Sequence, residues 1–190
     1  MTSRSKPLRS AVLALGAALA LAGCGSFADS NDRPTGYGAA STNPSVAPDV
    51  PSGYDTCKDI PQSVLDSERL RRQDTANSDA NGGLRWRGCV YGRTDGYFAT
   101  ITTTNVTVGM TLDKKFPGTA EFLASGRRII TSRQTEGRQE ACVANVEMTS
   151  GSLDISILNP ASNRDTGQID SCVIARTLAE KIAPTMPTNV

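Results

Sequence analysis

Residues 140–159 read EACVANVEMTSGSLDISILN, and their alternation decides the fold. Two apolar-alternating runs, 140–148 and 152–159, flank Thr-Ser-Gly, the signature of a β-hairpin. In the first run Cys142, Ala144, Val146 and Met148 share one face. In the second Leu153, Ile155 and Ile157 make the matching apolar set, and polar residues take most of the opposite sides. A hairpin with one apolar and one polar face belongs to an antiparallel sheet covered on one side.

Outward from this hairpin, residues 84–92 and 97–108 are rich in aromatic and β-branched residues and are separated by Arg-Thr-Asp-Gly, a strand–turn–strand pattern. In the first of these, Trp86, Gly88 and Val90 share one face, and Arg87, Cys89 and Tyr91 the other. Trp86 and Tyr91 are read as core or hairpin packing. Residues 127–135 read as another strand. The spacing of Ile60, Val64 and Leu65 predicts a helix over 60–72 with Pro61 in its first turn. Residues 75–83 read as a loop, and 111–125 as a helix broken at Pro117-Gly118. The last element, 170–184, is a helix capped by Asp170 or Ser171. Its apolar face is Ile174, Ala175, Leu178, Ala179 and Ile182, and Pro184 ends it. The expected architecture is α+β: an antiparallel sheet with helices packed against it, stapled by two disulfides.

The N-terminus has a different character. Arg4, Lys6 and Arg9 precede an uncharged run from Ala11 to Ala22, the layout of a secretory signal peptide. A membrane-spanning helix needs roughly 20 apolar residues, and Asp29 and Asp32 come too soon for one. Leu-Ala-Gly-Cys at 21–24 resembles a bacterial lipobox. That resemblance implies cleavage of residues 1–23 and a diacylglycerol on Cys24. One acyl chain anchors only marginally, whereas two or three hold a protein stably on a membrane. Residues 24–52 are then a lipidated cysteine followed by a tether rich in Ser, Pro, Gly, Asn and Asp. They lead to a single domain at 53–187 and a tail at 188–190. A flexible tether of this length spans about 30 Å.

Five cysteines is an odd number, and assigning Cys24 to lipid leaves Cys57, Cys89, Cys142 and Cys172 as an even set in a compartment that permits disulfides. Four cysteines allow three pairings. Cys57–Cys89 and Cys142–Cys172 are favoured, because each joins the edge of a helix to a strand expected beneath it. No C-x-x-C pair supports a zinc ribbon or a redox motif.

The chain has 20 Lys+Arg, 19 Asp+Glu and no histidine, so the usual neutral-pH base and the commonest metal ligand are missing. The near balance of charge gives no reason to expect a nucleic-acid partner. No nucleophile elbow or phosphate-binding glycine loop is present. Catalytic residues, metal ligands and cofactors are therefore not expected. Arg69, Arg71 and Arg72 cluster ahead of Arg85 and Arg87, and would form one basic surface for an anionic partner if Cys57–Cys89 brought them together.

The segments TCKDIPQSVL (56–65), CVY (89–91), SGRRIITS (125–132), ACVANVEMTSGSLDISI (141–157) and SCVIARTLAEKIAPTMP (171–187) occur in order, with the four cysteines among them. This set resembles an actinobacterial family of secreted lipoproteins, domain-of-unknown-function family 3558. The resemblance implies an envelope location and a compact α+β domain, and it supplies no catalytic residue. The expectation is a non-enzymatic binding or accessory module on the outer face of the cytoplasmic membrane. It would meet the membrane through lipid on Cys24 and act on an envelope protein or lipid. The alternative is a carrier or sensor of a small amphiphilic ligand, in a cavity between sheet and helices. Three or more polar side chains converging in one cleft would favour an enzyme instead.

Overall fold

The computed structural model describes residues 45–190. The expected signal peptide, Cys24 and the expected tether up to residue 44 lie outside the described residues.

The elements are α1 (Gln62–Ser67), β1 (Leu70–Thr75), β2 (Ser78–Ala80), β3 (Leu84–Arg93), β4 (Phe98–Thr104), α2 (Val108–Asp113), β5 (Ala120–Ala124), β6 (Arg127–Ser132), β7 (Ala141–Met148), β8 (Gly151–Leu158) and α3 (Ser171–Ile182). The strands form one antiparallel sheet in the order β1-β3-β4-β8-β7-β6-β5. Two short strands share one edge: β1 pairs with the C-terminal half of β3 and β2 with its start.

The hairpin of residues 141–158 sits at the centre, where β7 and β8 pair directly and β8 also pairs with β4. Its odd–even alternation settles the layering. Cys142, Ala144, Val146, Met148, Leu153, Ile155 and Ile157 are all buried on one face. Over that face lies α3, with Ile174, Ala175, Leu178, Ala179 and Ile182 buried beneath it. Asp170 caps α3, its Oδ1 accepting from the Cys172 N–H at 2.7 Å. The α+β architecture expected from the alternation is the one observed.

Both disulfides join the favoured pairs. Cys57–Cys89 ties the segment before α1 to β3, and Cys142–Cys172 ties α3 to β7, with Cα separations of 5.4 and 5.1 Å. Tyr91 is buried, as expected, and its hydroxyl donates to the Thr56 carbonyl at 2.6 Å beside the first disulfide.

Three elements differ from expectation. The first helix stops at Ser67 rather than 72. Arg69 turns at φ +55°, Leu70 is buried, and residues 70–75 pair with β3. The unpaired backbone groups on the outer side of β3 draw this segment into the sheet although its Leu, Arg and Gln residues favour a helix, so strand pairing overrides local propensity. Part of the 75–83 loop is likewise the short strand β2 on the same edge.

The expected broken helix at 111–125 is a short helix followed by a strand. Thr107 caps α2, accepting from the Met110 N–H at 3.1 Å, and Lys115 ends the segment at φ +51°. Residues 120–124 then form β5, joined to β6 by Ser125-Gly126. Both residues of that turn have positive φ (+52° and +73°), the requirement of a tight hairpin turn whose twist matches its strands.

Residues 45–52, read from composition as the end of the tether, run against the domain. The buried Asn105 side chain donates to the Ala47 carbonyl at 2.8 Å, Arg85 meets Asp49 at 3.5 Å, and Pro51 is buried. Among the described residues no helix is long and apolar enough to cross a membrane.

Candidate functional site

With α3 on one face, the alternation leaves the other face of the sheet largely polar. Antiparallel register builds it row by row. Thr102, Asp154 and Asn145 stand side by side across β4, β8 and β7; the next row is Thr100, Ser156 and Val143. The row after that is Phe98, Leu158 and Ala141. Short polar side chains on these central strands leave a hollow of about 440 Å³. Trp86 and the link between β1 and β2 wall it on one side, Gln134 on the other, and Val106 with Thr111 of α2 close one end.

Asp154 lies on the floor of this hollow. It keeps some accessible surface there, but the surrounding protein withdraws its carboxyl from bulk water and pushes its pKa up from 3.8 to about 7. The only counterweight is Asn145, whose Nδ2 donates to Asp154 Oδ2 at 3.1 Å and to Ser152 Oγ at 3.3 Å. The Ser152 hydroxyl donates to the Val106 carbonyl at 2.7 Å, which fixes the direction of this chain and the orientation of the Asn145 amide. Asn145 is 1% exposed and its Oδ1 has no hydrogen-bond partner in the protein. Ser132 Oγ, beside Val143 in the ladder, is also buried without a partner. Buried polar atoms are nearly always satisfied, so two orphans on one sheet face single it out as a candidate site.

The hollow continues. A second depression of about 360 Å³ shares Thr100, Gln134, Val143 and Ser156 with the first, and reaches Phe98 and Leu158. These two are directly paired across β4 and β8, and they are 49% and 41% exposed. Together the depressions make one trough on the open face, with a buried carboxyl at one end and exposed apolar side chains at the other. Arg138, at the apolar end, is paired with Glu140 at 2.8 Å.

The space between the sheet and α3 is filled by core side chains, so the trough lies on the opposite face from the long helix, beside α2. Trp86, read as core or hairpin packing, stands opposite Ser78 and Thr104 in the sheet and also lines the trough. Neither Asp154 nor Asn145 was singled out from sequence. The available signal was a carboxylate and an amide at directly opposed positions of a hairpin otherwise rich in small and apolar residues.

Of the five arginines, Arg72 and Arg87 line one depression beside Cys57, together with Lys58 and Asp55. Arg71 and Arg72 pair opposite Gly92 and Tyr91, and Arg85 and Arg87 lie four to seven residues back along β3, about 13–23 Å at the usual rise per residue. Arg69 meets Asp165 at 3.1 Å, Arg71 meets Asp66 at 2.7 Å, Arg85 meets Asp49 and Arg87 meets Asp79 at 2.5 Å.

No curated protein and no solved structure matches the chain. The family model described as Protein of unknown function (DUF3558) matches residues 19–185, and the chain belongs to that family.

Proposed function

We propose that this DUF3558 protein is a cell-envelope lipoprotein, anchored through lipid on Cys24 to the outer face of the cytoplasmic membrane, whose domain binds a small amphiphilic ligand without transforming it. The observation that carries the binding reading is the trough: an open sheet face joining the buried Asp154–Asn145 pair to the exposed Phe98–Leu158 pair. Pockets of 300 Å³ or more with few placed polar groups are the usual form of small-molecule sites. The Leu-Ala-Gly-Cys segment after an uncharged run supports the anchor.

Polar side chains do converge in the trough, which is the arrangement an enzyme would need. Asp154, however, is hydrogen-bonded to an amide and to no hydroxyl among the described residues. That supports binding over catalysis.

Two experiments test the reading. Solvent extraction of the protein purified from native membranes, followed by mass spectrometry, should recover a small amphiphile, and Phe98→Asp with Leu158→Asp should lose it. Recovery of the same compounds from the double variant would overturn the trough as the site. Cys24→Ala should leave unprocessed precursor, and normal processing of that variant would overturn the anchor.

A further inference from the structure

We infer that the polar end of the trough receives an organic ammonium group, with Asp154 as its counter-ion, Asn145 Oδ1 as a second acceptor and Trp86 as a flanking aromatic face. This rests on the reading of the trough as a ligand site and names the chemistry of the head it takes.

The argument begins with what the site lacks and what it has in excess. No Lys or Arg lines the hollow, so Asp154 is its one ionisable side chain. A buried carboxylate without a cation is costly, and the cost is relieved by a partner that brings positive charge. Asn145 has committed both amide protons to Ser152 and Asp154, which leaves its Oδ1 able only to accept. A ligand satisfying both groups must therefore supply donors. An ammonium supplies donors and charge together; a carboxylate or phosphate supplies neither and would face Asp154 with like charge.

Trp86 adds a third element. It is the only tryptophan in the chain and it lines the same hollow as Asp154. The indole face is the best aromatic partner for a cation. Beyond the polar end, Phe98 and Leu158 offer apolar surface for a hydrocarbon tail.

Binding of this kind is coupled to pH. Around Asp154 the neighbouring strands present Thr102, Asn145, Ser156 and Thr100, and α2 presents Thr111, none of which titrates in the accessible range. Glu147, on the same face of β7 beyond Asn145, is exposed and does not perturb Asp154. With the free carboxyl titrating at about 7, an ammonium that needs it ionised binds roughly thirtyfold more weakly at pH 5.5 than at pH 8.

The test uses three probes of equal tail length: n-octylammonium, n-octanol and n-octanoate. Each is titrated into the chain lacking residues 1–23 and carrying Cys24→Ala, with Trp86 fluorescence and calorimetry as readouts. At pH 8 n-octylammonium should bind at least tenfold more tightly than the other two, lose roughly thirtyfold at pH 5.5, and lose its advantage in Asp154→Asn. The pH comparison on the unaltered protein needs no variant. If n-octanol or n-octanoate binds the trough as well as n-octylammonium does, the ammonium inference is wrong and the trough reading stands. If none of the three binds at millimolar concentration, both are wrong.

Discussion

Asn145 and Asp154 face each other directly across the β7–β8 ladder, and the amide nitrogen of one donates to the carboxylate oxygen of the other at 3.1 Å. They sit in the middle of the sheet, on the face that α3 does not cover. A hydrogen-bonded polar pair at that position adds nothing to the hydrophobic core. It is a feature of the open face, and the stability of the unliganded protein carries the cost of it.

That cost has a pH dependence. A carboxyl whose folded pKa is raised holds its proton more tightly when folded, so stability is highest below the unfolded value and falls as pH rises. For Asp154 the fall runs from about 4 to about 7 and is complete above that, with an upper bound of about 4 kcal/mol. Asp154→Asn should therefore be more stable than the natural protein at pH 8.5 in urea denaturation, and the gap should close towards pH 3.5. A constant gap across this range would show that Asp154 is not proton-coupled to folding.

The two disulfides should contribute comparably. They close sequence separations of 32 and 30 residues, worth roughly 3–4 kcal/mol each in the chain-entropy model. Replacing Cys142 and Cys172 together by Ala should lower the denaturation free energy by about that amount, and Cys57 with Cys89 likewise. A loss under 1 kcal/mol in either double variant would mean that the packing around that bridge holds without it.

Gly151 is required by close approach. A Cβ there would lie 1.9 Å from the Thr104 carbonyl oxygen, a backbone atom of the neighbouring strand. Gly151→Ala should cost about 2–3 kcal/mol or more, because β4 and β8 would have to separate. Thermal unfolding of the variant checks this, and an unchanged midpoint would contradict it.

Arg133 clamps the start of α3 to the strand beneath. Its guanidinium donates to the Gln139 and Ala141 carbonyls and to Ser171 Oγ at 2.9–3.0 Å, and pairs with Asp170 at 2.5 Å. Arg133→Lys keeps the charge and loses the planar fork, so it should still cost about 1–2 kcal/mol. Amide exchange in the first turn of α3 should quicken in that variant; unchanged protection would argue against the clamp.

Residue periodicity made the central layer of the molecule legible. The alternation in residues 140–159 assigned the buried face of β7 and β8, and the helical spacing of Ile174, Leu178 and Ile182 identified the helix that covers it. The favoured Cys142–Cys172 pairing rested on those faces. Periodicity failed at the edges. Residues 70–75 and 120–124 carry no strong alternation and become strands because neighbouring strands offer unpaired backbone groups, a force no local window contains.

The amino-acid sequence by itself determined the α+β class and the core face, because each depends on spacing along the chain, and it favoured one of three cysteine pairings. Only the tertiary structure decided where the chemistry lies. Trp86, Asn145 and Asp154 are distant or unremarkable in sequence, and they meet because antiparallel register sets Asn145 against Asp154 and the β1–β2 link and β3 fold a wall beside them. The rise of the Asp154 pKa has the same origin: it comes from the protein mass around one carboxyl, which exists only once eight strands have assembled into a single sheet.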